Sequence, residues 1–144
     1  MTQEGEAVER ITSILLVDDD EIDVQNVQRA FTKANIRNPL YHAGDGLEAL
    51  ELLRGGTLPR ARLLLLLDIN MPRMNGIELL RELRKDPALR ATSVVMLTTS
   101  DEERDRVEAY GLNVAGYLVK PVRFMDFVEL MTTVDRYWSH MEMV

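Results

Sequence analysis

Five side chains stand out for chemistry: Asp18, Asp19, Asp68, Thr98 and Lys120, each of which follows directly on, or closely after, a short, largely apolar run, at 14–17, 63–67, 93–97 and 115–119. Three carboxylates gathered within a few ångströms repel one another unless a cation joins them, and an all-oxygen ligand set selects a hard ion such as Mg²⁺. Zinc and copper lack soft ligands here, because the chain has no Cys and its two His residues, His42 and His140, fall off these positions. With Mg²⁺ and the Lys120 ammonium present, the formal charges of Asp18, Asp19 and Asp68 are balanced. An aspartate beside a metal and a lysine is a carboxylate nucleophile suited to phosphoryl transfer, since the cations stabilise charge on the transferring oxygens. Asp68 is assigned that role, and Asp18 and Asp19, which start a helix, are assigned as ligands. Taken singly, each feature has a plainer reading. An Asp run before a helix supplies an N-cap, and Asp20 is read as that cap; a strand-end Thr is a good β-former; a Lys before Pro snorkels. Their joint occurrence after four strands of one ladder is what carries the argument.

The elements that must position them follow from periodicity. The run 14–17 stops at Asp18-Asp19-Asp20 and is followed by Val24, Val27, Phe31 and Ala34 on one helical face. Residues 40–43 lead through Asp45-Gly46 to Leu47, Leu50 and Leu53, closed by Gly55-Gly56. The run 63–67 breaks at Asp68-Ile69-Asn70-Met71-Pro72, after which Ile77, Leu80 and Leu83 repeat at helical spacing. Residues 93–97 with 101–110, and 115–119 with 123–138, make two more pairs. Five β-then-α units predict an α/β fold, a five-stranded parallel sheet doubly wound with helices on both faces, because a parallel connection needs a crossover of a dozen or so residues. In such sheets ligands bind beyond the carboxyl ends of the strands, where the five residues fall.

A chain of 144 residues, 46% of them hydrophobic, fits one domain that folds without staples. No Pro/Gly linker or repeat divides it. The expected organisation is a flexible segment at 1–11, the domain at 12–138 and a tail at 139–144. The net charge of −7 and the scatter of Lys and Arg argue against nucleic-acid binding. Residues 1–10 contain no apolar signal core, and the longest apolar run falls far short of the ~20 residues of a membrane span. A cytoplasmic protein is the expectation.

The motifs Leu15-Leu16-Val17-Asp18-Asp19, Leu67-Asp68-Ile69-Asn70-Met71-Pro72-Arg73-Met74-Asn75-Gly76, Leu97-Thr98-Thr99-Ser100 and Gly116-Tyr117-Leu118-Val119-Lys120-Pro121 resemble the receiver domain of two-component response regulators. The resemblance covers residues 12 to 138 and implies the flavodoxin-like (βα)5 fold, with strand order 2-1-3-4-5. It implies Asp68 as phosphoacceptor, and Mg²⁺ held by Asp18, Asp19, Asp68 and the Asn70 backbone carbonyl. Lys120 and Thr98 would contact the phosphoryl group, and Tyr117 would turn inward behind Thr98. Lys120–Pro121 would be a cis peptide. Residues Tyr110-Gly111-Leu112-Asn113-Val114 and the stretch 127–138 are similar to single-domain regulators that partner bacterial phytochrome histidine kinases. The chain ends six residues after Trp138, so no DNA-binding output domain is expected.

The function so implied is a phosphorylation switch rather than an enzyme: a histidine kinase presents phosphohistidine, Asp68 attacks, and the chain assists its own phosphotransfer. The alternative is a Mg²⁺-dependent phosphatase working through an aspartyl phosphate. That family places a second Asp two residues after the nucleophile as general acid/base, where this chain has Asn70. Finally, apolar residues from Phe124 to Met141 span about 180° of the last helix, more than one sheet-facing side requires. A homodimer through the fourth and fifth βα units and the last helix is expected, with Tyr137 and Trp138 as aromatic anchors.

Overall fold

Strands and helices alternate without exception along the described residues, 12–59 and 62–140, of the computed structural model. In chain order they are β1 (Ser13–Val17), α1 (Glu21–Lys33), β2 (Leu40–Ala43), α2 (Gly46–Arg54), β3 (Leu63–Leu67), α3 (Gly76–Lys85), β4 (Ser93–Thr98), α4 (Glu103–Gly111), β5 (Gly116–Val119) and α5 (Phe124–His140). The expected segment 1–11, the side chain of His140 and residues from Met141 onward lie outside the described residues. All strand pairs are parallel, and the sheet order is β2-β1-β3-β4-β5. The order reverses between β1 and β3, which opens the crevice where Asp18 and Asp68 emerge.

The continuous apolar strands are explained by burial on both faces. Leu15, Val17, Leu65, Leu67 and Met96 point into the core shared with α2 and α3. Their alternates Ile14, Leu16, Leu64, Leu66, Val95 and Leu97 pack with Val27 and Phe31 of α1 and with Phe127, Met131 and Trp138 of α5. Trp138 is 1% exposed and its ring lies 6.2 Å from that of Phe31, so the interface role expected of it is corrected to a core role. Tyr137, on the next helical position, is 57% exposed.

At the opposite end from the crevice, Arg84 of α3 has no carboxylate partner among the described residues. Its guanidinium donates to the carbonyls of Leu112 (2.7 Å), Asn113 (3.1 Å), Arg90 (3.0 Å) and Thr92 (2.8 Å). Burial pushes its pKa down, and the fork of donors ties α3 to the segments entering β4 and β5.

Candidate functional site

Three strands deliver their polar residues with backbone already fixed, because the parallel ladder continues one residue past each strand end. The amide of Asp18 donates to the Ala43 carbonyl (3.1 Å), that of Asp68 to Val17 (3.0 Å) and that of Lys120 to Thr98 (2.8 Å). Asp18, Asp68 and Thr98 are buried. The Lys120 side chain, 5% exposed, reaches from β5 into the crevice, where its ammonium donates to Asp18 Oδ2 (2.7 Å), Asp23 Oδ2 (2.8 Å) and Asp68 Oδ2 (3.1 Å). Burial alone would depress the Lys120 pKa; the bonds to Asp18 and Asp23 and the charges of Asp68 and Asp18 outweigh it and hold it above the ordinary lysine range. Asp18 moves the other way from a typical paired carboxylate. Burial raises its pKa, and the opposing bonds from Lys120 and the Asp20 amide only partly offset that.

Sequence reasoning placed Asp18, Asp68 and Lys120 together, and the structure does the same. It missed Asp23. Asp18, Asp23 and Asp68 form a group whose ligand atoms all lie within 4.8 Å of one another. Asp23 is the third residue of α1, and an acid in a first helical turn reads simply as a complement to the helix dipole, so no local signal set it apart. Asp19 is exposed and outside this group, and Asn70 is exposed in the loop after β3. Asp20 caps α1, accepting from the amides of Ile22 (2.9 Å) and Asp23 (3.4 Å). His42 lies nearer the site than expected, its ring Nε2 2.8 Å from the Asp18 carbonyl. The Lys120–Pro121 bond is trans, correcting the expected cis isomer. Trans is the lower-energy form of an Xaa–Pro bond, and with it Lys120 already spans all three carboxylates.

The acidic group fits a divalent cation. Its donors are all oxygen, and three carboxylates with one ammonium leave two negative charges to be matched. On Asp68 itself, Oδ1 accepts from the Ile69 amide (2.7 Å) and Oδ2 faces Lys120, so the carboxylate is oriented from both sides.

The loop that follows Asp68 is fastened to its surroundings. Gly76 starts α3 so close to β3 that a Cβ there would overlap the Asp68 carbonyl, which accounts for glycine at this position. Arg73, in the left-handed region at φ 64°, binds the buried Asp45 carboxylate through Nε (2.7 Å) and Nη2 (2.6 Å). Asp45 caps α2 by accepting from the Glu48 amide (2.9 Å); that bond, with Arg73, outweighs burial and holds its pKa below the usual carboxylate range.

A second polar path leaves the site towards α4. Thr98 Oγ1 accepts from the Ser100 amide (3.2 Å), Ser100 Oγ donates to Asp105 (2.6 Å), and the Tyr117 hydroxyl donates to the Ser100 carbonyl (2.8 Å). The Arg106 guanidinium lies 5.1 Å over the Tyr117 ring. Burial raises the Tyr117 pKa. Thr98 and Tyr117 are thus joined through one residue.

The family model of the response regulator receiver domain matches residues 14–132. The chain belongs to that family. This receiver is 35% identical over 129 residues to response regulator Rcp1 of Synechocystis, covering 87% of each chain. The crystal structure of the Mn²⁺-bound form of Rcp1 superposes with a TM-score of 0.81 at 33% identity, over 92% of this chain and 98% of that one. The phosphorylated cyanobacterial phytochrome response regulator RcpA gives 0.79 at 31% identity, over 90% and 94%. The fold is therefore the flavodoxin-like receiver fold, and the protein is a phosphorylation-controlled signalling switch that partners with a histidine kinase. No helix among the described residues is long and apolar enough to cross a membrane.

Proposed function

We propose that this receiver accepts a phosphoryl group on Asp68 from the phosphohistidine of a phytochrome histidine kinase in the cytoplasm. The observation that carries the reading is the placement of the Asp68 carboxylate between the Ile69 amide and the Lys120 ammonium, inside a largely buried acidic group. A carboxylate oxygen of Asp68 attacks phosphorus, the P–N bond breaks, and the imidazole leaves with the electron pair. Mg²⁺ would be held by Asp18 and Asp68 with Asp19 and the Asn70 carbonyl, and when bound it neutralises charge on the transferring oxygens. Lys120 follows the new charge from the carboxylate to the phosphoryl oxygens, and so assists the transfer. Thr98 turns its hydroxyl to the phosphoryl group, giving up the Ser100 amide, and Tyr117 responds through the Ser100 carbonyl. The likeness to RcpA supports a phytochrome kinase as the partner.

The reading is tested with acetyl phosphate as donor. Asp68→Asn keeps the side-chain shape and removes the nucleophile, so no radiolabel is taken up while the circular dichroism stays native. Excess EDTA stops labelling of the wild type. Stoichiometric labelling of Asp68→Asn, or undiminished labelling in EDTA, overturns the assignment of the residue or of the metal, respectively.

A further inference from the structure

We propose that Asp23 is a positioning residue of this site: its carboxylate completes the seat of the Lys120 ammonium and, by sharing that seat with an incoming dication, sets the cation affinity. The inference rests on the phosphoacceptor reading of the same site and adds a residue to it.

An ammonium has three N–H donors, and those of Lys120 meet three carboxylates, at 2.7 Å on Asp18, 2.8 Å on Asp23 and 3.1 Å on Asp68. Asp23 therefore takes one of the two shorter bonds, and the nucleophile takes the longest. Were Asp23 absent, the donor it occupies would be free to close on Asp68, blunting the group that has to attack. Asp23 is also the most open of the three side chains, 29% exposed against 1% for Asp18 and 8% for Asp68. Within the group it is the carboxylate most open to an ion arriving from solvent. Its placement is built in, because Asp20 caps α1 through the amides of Ile22 and Asp23 itself and so fixes the first turn. Removing its charge reduces the surplus negative charge of the group from two to one, which weakens its attraction for a dication.

The test measures Mg²⁺ affinity by calorimetry on the full chain, without phosphorylation, for the wild type, Asp23→Asn, Asp23→Glu and Glu21→Gln. Glu21 is an exposed acid in the same helical turn and controls for loss of charge as such. Asp23→Asn is expected to bind Mg²⁺ about tenfold more weakly and Asp23→Glu to recover most of the loss, the range reached by residues that support metal ligands without being among them. Glu21→Gln stays at the wild-type value. The ammonium resonance of Lys120, shielded from water by its three acceptors, shifts in Asp23→Asn and returns in Asp23→Glu, which a purely structural role of Asp23 would not produce. Wild-type affinity in a folded Asp23→Asn, or an equal loss in Glu21→Gln, overturns the proposal. If the wild type binds Mg²⁺ in an Asp23-dependent manner yet takes no label from acetyl phosphate, the phosphoacceptor reading fails and the role of Asp23 at the cation stands.

Discussion

Asp45 shows how much one side chain outside the acidic group contributes to holding the site. It caps α2 and receives Arg73 from the loop that begins at Asp68, so a single carboxylate joins a helix start to that loop. Because its folded pKa lies below the ordinary aspartate value of 3.8, its contribution to stability is present above that pH and is lost as the pH falls through the folded value. Asp45→Ala should cost about 1–2 kcal/mol at pH 7, the loss of a cap and of a charge-assisted hydrogen bond. Urea titrations of the wild type and variant should converge as the pH is lowered below 3.8. A gap that stays constant down to pH 2 would assign the loss to packing instead of charge.

Among the elements, α4 is the least anchored. Its N-cap Glu102 makes no side-chain cap bond and only Ala109 is buried, whereas α3 has a reciprocal cap between Asn75 and Glu78 and buries five residues. The position of α4 rests instead on polar ties: Ser100 to Asp105, Arg106 to Asp101, and Arg81 of α3 to Glu108. Exposed ion pairs contribute little each, so these ties hold the helix weakly. Amide exchange in α4 should be faster than in α3 in the unphosphorylated protein. Beryllofluoride, an acyl phosphate mimic, should move the amide resonances of residues 98–125 in the wild type and much less in Thr98→Ala. Equal shifts in both would break the proposed link from Thr98 through Ser100 to Tyr117.

At the scale of the whole molecule, exposed apolar side chains include Ile22 and Val122 as well as a set on β5 and the helices that follow β4 and β5. Val107 (61% exposed) and Tyr110 (51%) of α4, Val119 (39%) of the edge strand β5 and Tyr137 (57%) of α5 make up that set. We propose that a second copy covers it, through α4, β5 and α5, in the isologous arrangement commonest for closed assemblies. With Trp138 in the core, the aromatic anchors available are Tyr110 and Tyr137. Sedimentation at micromolar concentration should give about twice the chain mass of 16.5 kDa, falling to the monomer in Tyr110→Ala/Tyr137→Ala. A monomeric wild type, with and without beryllofluoride, would refute this interface.

The order of elements, the doubly wound sheet and the positions of Asp18, Asp68, Thr98 and Lys120 at strand ends were legible in the sequence, because apolar runs, breakers and helical spacing are local signals. Asp20 could be read as a cap for the same reason. What local signals do not carry is which long side chains converge from distant segments. Asp23 lies 97 positions from Lys120, and only the reach of the Lys120 side chain from the end of β5 to the first turn of α1 brings the two together. Likewise, Tyr137 and Trp138 are equally apolar neighbours in a helical pattern, and the rotation of α5 against α1 alone decides that one is buried against Phe31 and the other faces solvent. The trans Lys120–Pro121 bond belongs to the same class, since an Xaa–Pro pair by itself permits both isomers.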